Sequence, residues 1–122
     1  MNISTRFEKR GEFASVTYGS SLGGTLEMED LKLEEVQQVE RIYSLFNHAA
    51  VVAGILFDST FDMGDKETNI NDFTFKLQTY KMFFEINKPQ IREEIVTYVE
   101  NSFEYLEDNL KALKDVQATL NN

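Results

Sequence analysis

The stretch PQIREEIVTYVENSFEYLEDNLKALKDVQAT, residues 89–119, decides the fold of this chain. Its apolar residues recur at spacings of three and four, a period that predicts a long amphipathic helix and is close to a heptad seam. The members of this series are Ile95, Val99, Phe103, Leu106, Leu110, Leu113, Val116 and Leu120. The third helix predicted over residues 89–119 therefore has one continuous apolar side that must be covered.

The middle of this series is the strongest candidate for an interface. We call it the apolar seam, and it comprises Val99, Phe103, Leu106, Leu110 and Leu113. In one interpretation the seam packs inside a core formed by this chain alone. In the other, a second copy or another protein completes that core, as in an obligate oligomer. The sequence leaves both interpretations open.

The other side of the same helix carries mostly carboxylates. We call the candidate binding residues there the acidic face, and they are Glu93, Glu100, Glu104, Glu107 and Asp108. A row of negative charge at helical spacing is similar to the phosphates of a duplex, so it could occupy the basic groove of a nucleic-acid-binding enzyme. The alternative is a solvated helix face, which most charge runs of this kind are.

A first helix is predicted over residues 30–57, because apolar residues recur there at spacings of three and four. Its second half, residues 45–57, is apolar on both sides, and a helix of that kind is buried on both sides. Gly54, Ala49 and Ala53 would allow another backbone to approach closely. We expect this half to form the centre of the core, or of a core that a partner completes.

A polar connection is predicted at residues 58–70, between the first and second helices. Asn71 or Asp72 can cap a second helix over residues 72–86, since short polar side chains accept hydrogen bonds from a helix N-terminus. Pro89 then suits the first turn of the third helix.

The chain before the helices differs in composition. Residues 1–11 are locally basic and are predicted to form an arm, and residues 12–28 read as two short strands with a turn at Gly23 and Gly24. The predicted fold is therefore a single α+β domain over residues 1–122, mostly helical. A short N-terminal β-hairpin packs on a three-helix bundle whose long first and third helices run antiparallel.

Composition limits the classes of function. The formal net charge of −9 and the pI near 4.5 disfavour direct binding to nucleic acid or to anionic membranes, and they favour protein partners. The chain contains no cysteine, which excludes disulfides, cysteine zinc sites and thiol catalysis. With no secretory signal or membrane-spanning run visible, we expect a cytoplasmic protein, located in the host cytoplasm if a bacteriophage encodes it.

Catalytic chemistry has little support in the sequence. His48 is the only histidine, and it lies in an apolar stretch, where a hydrogen-bonded core or interface role is commoner than catalysis. A magnesium site of the kind found in all-helical nucleotide pyrophosphohydrolases would need Glu104 with Glu107 or Asp108, together with Glu34 or Glu35 from the first helix. No other cofactor is indicated.

Three functions remain as hypotheses. We favour a non-enzymatic module, an adaptor, assembly factor or inhibitor, that acts through protein–protein contacts and forms a homo-oligomer. The first alternative is an acidic inhibitor that mimics nucleic acid. The second is a magnesium-dependent nucleotide pyrophosphohydrolase.

Overall fold

The structure, a computed structural model, describes the backbone of residues 3–10, 13–20 and 25–28 and both backbone and side chains of residues 31–120, and the last range is a bundle of three helices without strands. The helices are α1 at Leu33–Phe57, α2 at Met63–Asn87 and α3 at Glu93–Leu120. The predicted three-helix bundle is confirmed. The side chains of the predicted basic arm and of the predicted hairpin, residues 1–11 and 12–28, lie outside the described residues, and the packing of this hairpin on the bundle stays a prediction.

The start of α1 depends on a carboxylate in its own first turn. The Lys32 backbone N–H donates to Glu35 Oε1 at 2.9 Å, so the side chain satisfies a group that the helix cannot pair internally. The helix ends at Asp58, where the backbone becomes extended.

The second half of α1 is buried on one side only, which corrects the expectation for residues 45–57. Leu45, Ala49, Val52 and Leu56 face the core, as predicted by their spacing. Ala50, Val51, Gly54 and Phe57, on the remaining sides, are exposed. A helix in a three-helix bundle meets its two neighbours through adjacent sides, so neither α2 nor α3 covers the outer side of α1.

α2 is longer than predicted, and it replaces most of the predicted loop at residues 58–70. The Asp62 side chain caps it, because Asp62 Oδ1 accepts a hydrogen bond from the Asp65 backbone N–H at 2.7 Å. The connection from α1 is therefore only five residues long, 58–62. At 25 residues, α2 equals α1 in length.

A short 3-10 turn, Lys88–Gln90, carries the chain from α2 into α3. Pro89 lies in this turn, where its missing N–H costs no helical hydrogen bond. The Arg92 carbonyl accepts from the backbone N–H groups of Ile95 and Val96, and α3 then continues without a break.

α1 and α3 run parallel, which corrects the predicted antiparallel pair. Glu35 near the start of α1 contacts Arg92 at the start of α3, and Phe46 further along α1 packs on Tyr105 further along α3, with ring centroids 5.8 Å apart. The reason is the length of α2, which returns the chain to the end of the bundle where α1 began.

The core lies along the common axis of the three helices. Its largest fully buried apolar side chains are Phe73, Phe84 and Ile70 of α2, Ile42, Leu45 and Leu56 of α1, Ile95 and Leu106 of α3, and Leu31 just before α1. Among residues 31–120, no helix is long and apolar enough to cross a membrane.

Candidate functional site

The five residues of the apolar seam all lie in the interior. Val99 and Leu106 are fully buried, and Phe103 packs on Phe84 of α2 with ring centroids 5.7 Å apart. Leu110 and Leu113 are buried closer to the end of α3. The chain's own α1 and α2 cover the seam, so the structure places it where the intramolecular interpretation puts it.

The five residues of the acidic face are all exposed along α3. Two of them form ion pairs with α2: Glu107 with Lys81, and Glu100 with Lys88, where the Nζ to Oε1 distance is 3.1 Å. The hydrogen bond from Lys88 to Glu100 and the charge of that carboxylate raise the pKa of Lys88. Both pairs are solvent-exposed, so each contributes little to stability, and each offsets part of the negative charge of the face.

The carboxylates predicted for a magnesium site are not brought together. Glu35 is buried near the start of α1, beside the first residues of α3, whereas Glu104 lies 12 residues after Arg92, about 18 Å along the helix axis. Glu107 and Asp108 are exposed still further along. Within residues 31–120, no three Asp, Glu or His side chains are grouped so that they could hold a metal ion.

Glu35 instead forms a buried ion pair that the sequence pattern did not reveal. Its side chain is 1% exposed and accepts four hydrogen bonds. Arg92 donates through Nε to Oε2 at 2.8 Å, through Nη2 to Oε1 at 3.1 Å and through its backbone N–H to Oε2 at 3.1 Å. The Lys32 backbone N–H supplies the fourth. Burial raises the pKa of Glu35, but these hydrogen bonds outweigh it, and the net pKa lies below the ordinary value.

His48 lies half-buried between α1 and α2. Its ring packs edge-on against Phe73 with centroids 5.3 Å apart, and Nδ1 is buried without a hydrogen-bond partner among the described residues. Burial lowers the pKa of His48; Lys76 lowers it further, against an opposing effect of Asp72. The lowered pKa favours the neutral imidazole, whose ring packs on Phe73.

The most distinctive surface of the bundle is the outer side of α2. Four large apolar side chains project there: Phe75 is 71% exposed, Met82 67%, Phe83 43% and Ile86 70%. We call these four the outer α2 face. At 100° per residue Phe75, Met82 and Ile86 fall within about 40° of one another, and Phe83 lies beside them. Monomeric proteins seldom expose large apolar side chains in such a group without a binding role.

The core side of α2 lies opposite. Ile70, Phe73, Leu77 and Phe84 are buried against α1 and α3, about half a turn away from the outer α2 face. α2 is therefore apolar on two opposite sides and has one more apolar side than the bundle can cover. The sequence analysis predicted this helix over residues 72–86 but did not identify its outer apolar side. The available signal was the spacing of Phe75, Met82 and Ile86, at steps of seven and four.

Cationic groups of α1 and α2 border the outer α2 face on one side. The Arg41 guanidinium lies over the Phe83 ring at 4.9 Å and beside the Tyr80 ring at 5.8 Å. Lys76 Nζ lies 5.7 Å from the same Tyr80 ring and donates to Ser44 Oγ at 2.7 Å. The Arg41 contact holds Phe83 in place, so part of the face is already ordered before a partner binds.

No protein-family model, no curated protein and no solved structure matches this chain. Its function therefore has to be inferred from its own residues. Among the surfaces of residues 31–120, the outer α2 face is the strongest candidate for a binding site, because it is exposed and apolar and because Arg41 holds part of it in place.

Proposed function

We propose that this chain is a non-enzymatic module that binds another protein chain through the outer α2 face. The observation that carries the proposal is the exposure of Phe75, Met82, Phe83 and Ile86 on one side of a helix whose other side is already packed. Covering these side chains removes apolar area from water, which is the main favourable term in protein association. We further propose a cytoplasmic setting, which suits a chain without cysteine.

A photo-crosslinking amino acid at position 82 tests this function in living cells that express the chain. We expect a discrete crosslinked species that disappears when Phe75→Glu is added to the same chain. The matched control carries the crosslinker at Val51, an exposed apolar position on the outer side of α1. Equal, diffuse labelling at both positions would refute the proposal.

The acidic face supports a second candidate function, inhibition of a nucleic-acid-binding enzyme by mimicry of its substrate. The supporting observation is that all five carboxylates lie exposed on α3, and residues 93–120 carry seven acids against two lysines, a net charge of −5. Such a complex would weaken steeply with added salt. The test compares the wild-type chain with the double variant Glu100→Gln, Glu104→Gln on an immobilised polycation column. Equal binding of the two chains would argue against a concentrated acidic site.

A further inference from the structure

The outer α2 face is large enough to form the centre of an interface. Taking about 200 Å² for a Phe side chain and slightly less for Met and Ile, the exposed fractions give about 450–500 Å² of apolar surface. Two such faces together would bury about 900–1,000 Å², and their flanking residues would bring the total near the 1,200 Å² lower bound of stable interfaces. The area therefore suits a reversible pairing of two identical faces.

The charge of each helix favours α2 over α3 as the self-associating element. Residues 63–87 carry four acids and three lysines, a net charge of −1, whereas α3 carries −5. In a chain with a net charge of −9, like-charge repulsion opposes contact between two copies, and it is smallest where the surface is nearly neutral.

The order of the charges along α2 sets the direction of the pairing. The first half contains Asp65, Glu67 and Asp72, with only the buried Lys66 against them, and the second half contains Lys76 and Lys81 against Glu85. A parallel pair would set acidic half beside acidic half. An antiparallel pair centred on the outer α2 face brings only residues 74–87 of the two copies together, so the two acidic halves lie apart at opposite ends of the pair, and the two helix dipoles oppose each other.

We propose, on the basis of the protein-binding function above, that the partner is a second copy of this chain, with α2 packed antiparallel on α2 of the copy. The midpoint of the face between Phe75 and Ile86 falls at position 80.5, so the two-fold axis passes between Thr79 and Met82. Phe75 then lies opposite Ile86 of the second copy, and the pairing repeats at the other end because a two-fold interface is self-complementary.

The first test measures the mass of the purified chain by sedimentation equilibrium from low micromolar to near-millimolar concentration. We expect a monomer–dimer equilibrium. In the double variant Met82→Glu with Ile86→Glu the dissociation constant should rise at least about 100-fold, since each charge would be buried without a partner. Val51→Glu is the control and should leave the constant unchanged, because Val51 is an exposed apolar side chain on α1, away from the outer α2 face.

The second test uses the absence of cysteine in the chain, which allows single thiols to be introduced cleanly. In the antiparallel pair, Thr79→Cys lies three residues from its copy, about 4.5 Å along the axis, and should form a disulfide-linked dimer under mild oxidation. Thr68→Cys lies on the same side of α2 but 25 residues from its copy, about 37 Å, and should not. Linkage at both positions would indicate a parallel pair and overturn the proposal.

The outcomes separate this inference from the proposed function. A monomer at every concentration, together with a discrete crosslink at position 82 in cells, would overturn the second copy as the partner and leave the protein-binding function standing. A monomer without any such crosslink would overturn both. A dimer that Val51→Glu dissociates and the α2 double variant does not would move the interface to α1 and overturn the inference.

Discussion

Replacing Glu35 by Gln should destabilise the bundle by about 3 kcal/mol. The carboxylate accepts four hydrogen bonds, and the single amide oxygen of Gln can serve only about two of those donors. Each lost bond to a charged acceptor is worth about 1.5–3 kcal/mol, and the lower figure applies because Arg92 is partly exposed to solvent. At this chain length the loss corresponds to a fall in Tm of about 12 °C.

Urea unfolding followed by circular dichroism measures this change, with Glu40→Gln as the control because Glu40 is an exposed carboxylate on the same helix. The folded pKa of Glu35 is lowered, so its contribution is complete above the ordinary Glu pKa of about 4.3 and is lost as pH falls through the lower folded value. The difference between wild type and Glu35→Gln should therefore shrink at acid pH. A loss below about 1 kcal/mol at pH 7, or a difference that does not change with pH, would refute the reasoning.

Three further predictions concern single positions. Gly54→Ala should stabilise the chain by about 0.5–1 kcal/mol in urea unfolding, because Gly54 lies exposed inside α1 and an added Cβ would meet no atom within 4 Å. Destabilisation would mean that the surroundings of Gly54 have no room for a methyl group. Phe103→Ala should lower the free energy of unfolding of the monomer by about 3–5 kcal/mol, because Phe103 is buried, and Phe75→Ala should lower it by less than about 0.5 kcal/mol, because Phe75 is exposed. Equal losses would contradict the assigned core. Since the pKa of His48 is lowered in the fold, stability should rise as pH increases through the ordinary His value of about 6.5; an imidazole NMR titration that gave a raised pKa would contradict this.

The helix α3 shows what the sequence pattern could predict. Its apolar series keeps one side, so the period alone identified the core residues from Ile95 to Leu113 and the boundaries to within four residues. α1 was recognised in the same way, but its apolar second half gave no information on which side faces solvent. Apolar content predicts burial only when enough neighbouring elements exist to cover every side.

The sequence analysis missed the Glu35–Arg92 pair and the outer α2 face for different reasons. Glu35 and Arg92 are 57 residues apart, and nothing local pairs one acid of α1 with the first turn of α3. In α2, residues 64–69 are glycine or polar, so the first part of the helix read as a loop. The parallel direction of α1 and α3 was missed as well, because it follows only when α2 is long enough to return the chain to the end of the bundle where α1 began.

The two apolar sides of α2 also affect how the chain folds. A helix of this kind can dock on α1 and α3 by either side, and the two docked forms differ by about half a turn of rotation. The rotated form would expose Phe73, Phe84 and Leu77 and bury Met82 and Ile86, and it must undock before it can convert to the native arrangement. We therefore expect a slow phase in stopped-flow refolding. Charges at positions 82 and 86 should abolish that phase, because they leave α2 with a single side that can enter the core.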